Sequence, residues 1–249
     1  MDLSIVIPCY NEAEGIDALR KQLQGVWPEL QRRGPVEVVL VDDGSRDDTY
    51  VRLVAAFSEW PTVRIVRHEH NRGLGAALRT GIAHATGSVL VVIDSDCTYP
   101  PSTIPALLDL LAPDVDIVTS SAYHPLGGVE GVPAYRLLFS RSASLLYRLL
   151  VDPRVYTWTA MYRAYRREVV TRVETKSSSY LVMAELLVNA ILAGYRVVEY
   201  PTVLHVRQYG QSKARIWQIT KAHLAFQVRV LGRRLAALGR LPARVHSKP

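Results

Sequence analysis

Two carboxylates one residue apart, Asp94-Ser95-Asp96, close the apolar run Val89 to Ile93. Charge at the tip of a buried strand is costly unless it is paired or binds a cation. A divalent cation of the Mg2+ type prefers oxygen ligands and is commonly held by one or two carboxylates plus substrate phosphates. Such a cation bridges a diphosphate and neutralises a leaving group. A second acidic pair, Asp42-Asp43, ends another apolar run, VEVVLV, and suits hydrogen bonds to a base or ribose. Asn71-Arg72-Gly73 opens a helical pattern, where backbone N–H groups and Arg72 can receive a phosphate. An isolated Asp-x-Asp is also a common turn and cap pattern, so the elements around it must decide.

Those elements alternate. SIVIP is a short apolar strand stopped by Pro8, and Asn11 is placed to cap a helix from about Glu12 to Val26. Strand 36–41 follows, then a helix capped by Asp47 or Asp48 and running to about Glu59. Strand 62–67, a helix from Gly73 to Thr86 and strand 88–93 complete the first half. Strand–helix alternation predicts an α/β fold with a mostly parallel sheet and helices on both faces. Ligands of such sheets sit beyond the carboxyl ends of the strands, which here carry all the polar clusters. The second half predicts a strand at 116–120, a mobile Gly- and Pro-rich loop from His124 to Pro133, and an amphipathic helix at 134–150. Beyond these lie a strand at 156–165, a buried helix at 181–193 and strands at 195–206. Residues 213–238 read as a basic amphipathic helix, with Trp217, Leu224, Val228, Leu231, Leu235 and Leu238 on one stripe.

The chain has 249 residues, 49% apolar and 21% charged, an ordinary globular balance for a single α/β domain. Cys9 and Cys97 are too few for a disulfide framework and read as space-fillers in a reducing compartment. No secretory signal and no membrane-spanning run is visible, so a cytoplasmic location is expected. After Glu199 the chain holds no acid and ten basic residues, whereas the remaining twenty basic residues face 23 acidic ones. The expected partners are therefore anionic, with peripheral contact to an anionic membrane surface among them. Nucleic acid ranks last, because it leaves the aspartates unexplained. Asn71-Arg72-Gly73-Leu74-Gly75 fails as a dinucleotide fingerprint, since Leu78 stands at the third glycine's place and the motif follows the third strand. His68 and His70 read as a solvated turn.

Three segments together resemble the family 2 glycosyltransferases of the GT-A fold: SIVIPCYNEAEGI, EVVLVDDGSRDDT and NRGLGAALRTGIAHATGSVLVVIDSD. The resemblance implies a nucleotide-sugar donor, UDP- or GDP-linked, a Mg2+ or Mn2+ cofactor, and inversion by in-line displacement. It places Pro8, Tyr10, Asn11, Glu12, Asp42, Asp43, Arg72 and Ser95 at the donor nucleotide, and Asp94 and Asp96 at the metal and diphosphate. The second half is similar to polyprenyl-phosphate sugar synthases of the dolichol-phosphate mannose type. Arg136 and Ser140 resemble their acceptor-phosphate motif, and Tyr162-Arg163-Ala164-Tyr165-Arg166-Arg167 their F-R-x-x-R-R run. Arg207 to Lys213 resembles a segment that closes over the donor phosphates. Arg136, Ser140 and Arg163 thus become acceptor candidates, and Asp96 and Arg207 catalytic ones.

Some positions depart from that pattern: Thr98 replaces a glutamine, Ala122 an arginine, and Thr157 to Met161 lack an aspartate and a glycine. A polyprenyl phosphate is the expected acceptor. A hydroxyl or amine on a small molecule or carrier protein is the alternative, and it would need a general base, for which Glu185 is the candidate. A basic nucleotide- or membrane-binding module on a degenerate transferase fold is the non-enzyme alternative. The expected organisation is a catalytic domain over 1–212, divided near 98 into donor and acceptor halves, with a basic helical tail over 213–249. The oligomeric state is open.

Overall fold

The computed structural model describes residues 2–207 and 216–238, with side chains described as far as 236. A seven-stranded sheet forms its centre, in the order β3-β2-β1-β4-β7-β5-β8. The strands are β1 (Leu3–Cys9), β2 (Val36–Asp42), β3 (Val63–Arg67), β4 (Val89–Val92), β5 (Ile117–Ser121), β7 (Arg163–Arg166) and β8 (Val197–Pro201). β1 pairs in parallel with β2 and β4, β2 with β3, and β5 with β8, while β7 runs antiparallel between β4 and β5. The strand expected at 156–165 is thus shorter and later, and it is the wedge that joins the two halves.

Alternate strand residues serve opposite faces, as the two-residue period of a strand requires. Ile5, Ile7, Val38, Leu40, Val89 and Val91 pack with residues of α1 (Ile16–Arg33), α2 (Thr49–Phe57) and α4 (Ile104–Asp109). Val6, Val39, Val41, Leu90 and Val92 pack with α3 (Leu74–His84) and α7 (Leu181–Leu192). Both faces are covered, which explains why the strands read as continuous apolar runs.

Asn11 does not cap α1. Its φ of 52° turns the chain sideways, a 3-10 turn over Ala13–Gly15 intervenes, and α1 starts at Ile16. The helix runs through Pro28 to Arg33 because its buried stripe continues through Ile16, Leu19, Leu23, Val26 and Leu30. At α2, Asp48 precedes the helix without a capping bond, and Asp47 instead accepts the Thr49 N–H.

The loop expected from His124 to Pro133 contains β6 (Gly128–Glu130), which pairs with β9 (Val203–His205) in a separate ribbon. α5 (Ala134–Leu150) follows the sequence pattern, α6 (Arg167–Arg172) is a short helix that the pattern did not show, and α8 (Ile216–Leu238) packs on α5 and α7. Their apolar residues do not all turn inward. Along α8 the buried residues are His223, Phe226, Gln227 and Val230, while Trp217, Leu224, Val228, Leu231 and Leu235 stay exposed. Along α5 Ser144 and Tyr147 are buried and Leu138, Leu145 and Leu149 are exposed. The polar contacts Tyr147–His223 and Gln227 to the Ala143 carbonyl set this orientation. No described helix is long and apolar enough to cross a membrane.

Candidate active site

The loops after β1 and β2 are laced together. Asn11 N–H donates to Ser45 Oγ, its Oδ1 accepts the Arg46 N–H, and Glu12 N–H donates to Thr49 Oγ1. Pro8 and Cys9 sit in register with Val41 and Asp42. Burial, with Glu12 and Asp42 adding, pushes the Cys9 thiol up, and burial with Asp96 and Asp94 pushes Cys97 up to about 12. Both thiols stay protonated and fill space at the strand tips.

Asp94 and Asp96 leave the end of β4 beside this loop pair. Burial and then the Asp96 charge hold the Asp94 carboxyl well above the usual carboxylate range, with Arg207 opposing. Among the described residues no other residue donates a hydrogen bond to the Asp94 side chain. Arg207 reaches in from the chain after β9: its Nε lies 2.7 Å from Asp96 Oδ2 and its Nη1 3.0 Å from Glu12 Oε1. Burial works against this guanidinium, but Asp96 and Glu12 more than offset it and raise its pKa. The ribbon of β6 and β9 places Arg207, anchored by the His205 N–H on the Thr98 carbonyl. A cationic side chain thus already bridges two carboxylates, Asp96 and Glu12, within the field of Asp94.

The residues fit an oxygen-seeking divalent cation. Among the described residues no cluster of three or more metal-ligating side chains converges. Two carboxylates with phosphate and water completing the shell is the usual arrangement for Mg2+.

Asp43 faces inward. Its Oδ1 takes His68 Nδ1 at 2.7 Å and the Arg72 N–H at 2.9 Å; its Oδ2 takes Asn71 Nδ2 at 3.0 Å and the Gly73 N–H at 2.8 Å. Four donors saturate a carboxylate, so Asp43 shapes the turn before α3 and leaves no acceptor for a nucleotide. His68 is buried in this network, with Nε2 on Thr80 Oγ1, and is not a solvated turn residue. Asp42 differs: its Oδ1 takes the Ser45 N–H, while buried Oδ2 makes no hydrogen bond with the described residues and stands 3.2 Å from Arg67 Nε. Arg72 is exposed at the turn.

In the second half of the chain, Arg136 and Ser140 of α5 line a mainly apolar cavity of about 300 Å3 between α5 and α8. Ser140 Oγ lies 2.7 Å from Thr159 Oγ1, a second lining residue. Tyr180 also lines it, and burial, with Asp94 adding, raises its pKa to about 12. Tyr180 thus lines the cavity and feels the charge of Asp94; nothing in its sequence context marks it.

Two expected site residues lie elsewhere. Arg163 is fully buried and donates to Thr119 Oγ1 and to the carbonyls of Met183 and Trp158, so it braces β7 rather than facing an acceptor. Glu185 is buried and its Oε2 accepts the N–H groups of Lys176 and Ser177, which makes it the clasp of the segment before α7. Lys213 lies outside the described residues.

The family model for glycosyl transferase family 2 matches residues 4–173. The chain belongs to glycosyl transferase family 2. This family 2 glycosyltransferase is 32% identical over 222 residues to a dolichol-phosphate mannosyltransferase of Pyrococcus furiosus, covering 86% of this chain and 60% of that protein. It is 32% identical over 216 residues to the polyprenol monophosphomannose synthase of Mycolicibacterium smegmatis, covering 84% and 79%. The chain thus spans less than two thirds of the Pyrococcus relative's length. Among solved structures, glucosyl-3-phosphoglycerate synthase of Mycobacterium tuberculosis in complex with Mn2+, UDP and glucosyl-3-phosphoglycerate superposes with a TM-score of 0.71 at 23% identity. That match covers 93% of this chain and 80% of the other. The transferase has the GT-A architecture of that neighbour.

Proposed function

We propose that this glycosyltransferase moves a sugar from a UDP- or GDP-sugar to a polyprenyl phosphate, with Mg2+ or Mn2+ held by Asp94 and Asp96. The observation that carries the reading is the Asp94–Asp96–Glu12 cluster bridged by Arg207, set against a cavity that holds Arg136 and Ser140. The names of the two 32% relatives support the acceptor class.

Asp42 Oδ2, which accepts no hydrogen bond from the described residues and is ion-paired with Arg67, receives an N–H of the base or a ribose hydroxyl. Pro8, Tyr10, Asn11, Glu12 and Ser95 form the walls, with Arg72 at the rim. The bound cation would neutralise charge on the departing diphosphate. Arg207 leaves Asp96 for the donor phosphates, as a guanidinium matches phosphate oxygens better than a single carboxylate oxygen. Lys213 follows it in the chain and adds a second positive charge. Arg136 and Ser140 hold the acceptor phosphate for in-line attack. An anionic acceptor needs no proton removed, which agrees with Glu185 being engaged by backbone N–H groups.

A polyprenyl acceptor lives in a bilayer. The exposed leucines of α5 and the outward stripe of α8, with Lys221, Arg229, Arg233 and Arg234 beside it, suit a peripheral position on a cytoplasmic anionic leaflet. The test is incubation with labelled UDP- and GDP-sugars and a short-chain polyprenyl phosphate, with and without Mn2+. A metal-dependent lipid-linked sugar is expected. Sugar appearing only on hydroxyl or amine acceptors would overturn the acceptor assignment.

A further inference from the structure

On the opposite side of α5 from the acceptor cavity lies a second cavity of about 300 Å3, bounded by His124, Arg141 and Arg148. No carboxylate lines it. Among the described residues neither arginine has an acidic partner. Each is instead held by an aromatic face. The Arg141 guanidinium stands 5.2 Å from the Tyr123 ring centroid and the Arg148 guanidinium 4.0 Å from that of Tyr156. Arg148 Nε also donates to the Pro153 carbonyl. Two guanidiniums fixed on rings and short of a counter-ion form a preorganised anion site, since stacking and hydrogen bonding leave their outer N–H groups unspent.

His124 supplies a third donor. Its Nδ1 accepts the Leu126 N–H at 3.1 Å. A neutral imidazole accepting at Nδ1 carries its proton on Nε2 and donates there. The ring is set edge-on against Tyr156, with centroids 5.4 Å apart. Glu199 lies within electrostatic reach of His124 outside this cavity; its Oε1 is occupied by the N–H groups of Tyr156 and Thr157, and its Oε2 is buried.

The surroundings say what carries the anion. Leu138, Arg141, Leu145, Arg148 and Leu149 follow the three- and four-residue spacing of one helix side. Leu138, Leu145 and Leu149 are 64%, 53% and 73% exposed. A free phosphate compound gains nothing from such a rim, whereas a phospholipid places its phosphate on the cations and its acyl chains along the leucines.

We propose that the cavity of His124, Arg141 and Arg148 is a phosphate site for the headgroup of a membrane phospholipid, distinct from the acceptor cavity. It rests on the reading that α5 and α8 face a bilayer, and it adds a defined lipid contact to that reading. The site would fix how the molecule sits on the leaflet, and so where the acceptor cavity opens.

The experiment is co-sedimentation of the full chain with vesicles of phosphatidylcholine containing phosphatidylglycerol, without polyprenyl phosphate or donor, so transferase chemistry does not enter. The double variant Arg141→Gln/Arg148→Gln is compared with Arg229→Gln/Arg233→Gln, which removes the same charge from α8. Diffuse attraction costs about fivefold in affinity per cation for either pair. The pocket variant is expected to lose about tenfold beyond the α8 variant. His124→Phe, measured at alkaline pH, keeps the ring against Tyr156 and changes no charge, and is expected to lose about fivefold. Equal losses in the two double variants with none in His124→Phe, or no vesicle binding by the unaltered chain, would overturn the proposal. Titration with glycerol 3-phosphate and inorganic phosphate separates the sources: weak binding of both is expected. Tight binding of either, unaffected by vesicles, would assign the cavity to a soluble phosphate compound and sink the lipid assignment.

Discussion

Arg207 occupies Asp96 Oδ2, an oxygen that the proposed divalent cation would need. Replacing Arg207 with Gln frees Asp96 and Glu12 while removing the charge proposed to receive the donor phosphates. Mn2+ binding without nucleotide is expected to tighten about tenfold by calorimetry, while transfer falls at least ~100-fold. Unchanged Mn2+ affinity would mean that the guanidinium does not guard the site. Asp94→Asn and Asp96→Asn are expected to abolish metal-dependent nucleotide binding and to lower transfer by more than about 100-fold; full activity in either removes the metal assignment. Glu185 is separated from catalysis by a different pattern. Glu185→Gln keeps the shape but weakens two charge-assisted bonds to Lys176 and Ser177, so about 1–2 kcal/mol of stability is lost while kcat stays within about threefold. Collapse of kcat at full stability would restore the general base. The strand-tip carboxylates were legible because an apolar run that stops at acids delivers them beyond the carboxyl end of a strand, where parallel sheets bind ligands. The difference between Asp42 and Asp43 was not, since it depends on His68, Asn71, Arg72 and Gly73 converging from another strand end.

The elements around α3 are packed to backbone contact. Gly73 holds a φ of 87°, and a Cβ at Gly75 would stand 2.0 Å from the Ser177 carbonyl oxygen. Gly75 also donates its N–H to the Ser178 carbonyl. Gly75→Ala is expected to cost more than about 2 kcal/mol in urea unfolding and to weaken nucleotide binding, because the segment clasped by Glu185 must shift. A neutral Gly75→Ala would show that this segment gives way easily. Apolar runs alternating with helical stripes revealed β1 to β4, α2 and α3 within a few residues, whereas α1 begins after the turn at Asn11 and runs on past Val26 to Arg33. The second half was harder. β7 is only four residues long and buried by its neighbours rather than by its own pattern, and β6 exists only through its pairing with β9. On α5 and α8 periodicity marked an apolar side correctly but not its direction, since burial went to Tyr147, His223 and Gln227 through polar contacts.

At the scale of the molecule, α8 is joined to the body through a buried histidine. Burial lowers the His223 pKa from 6.5 to about 4, and its Nδ1 meets Tyr147 Oη at 2.9 Å. The folded state thus holds His223 neutral. Its contribution to stability is full above pH 6.5 and is lost as pH falls from 6.5 to about 4, the loss reaching about 3 kcal/mol at the lower end. His223→Phe is expected to flatten that part of the stability–pH curve relative to the unaltered chain; identical curves would place the imidazole in water.

The position of β7 between β4 and β5 has a consequence for how the chain is made. β4 is apolar on both faces and pairs with β1 on one side, but its other edge is filled only by Arg163–Arg166. On a ribosome adding about 5–20 residues per second, that edge stays bare for roughly seventy residues, on the order of ten seconds. The nascent first half is therefore a sticky half-sheet awaiting its wedge, and fragments ending before Arg163 should aggregate or recruit chaperones.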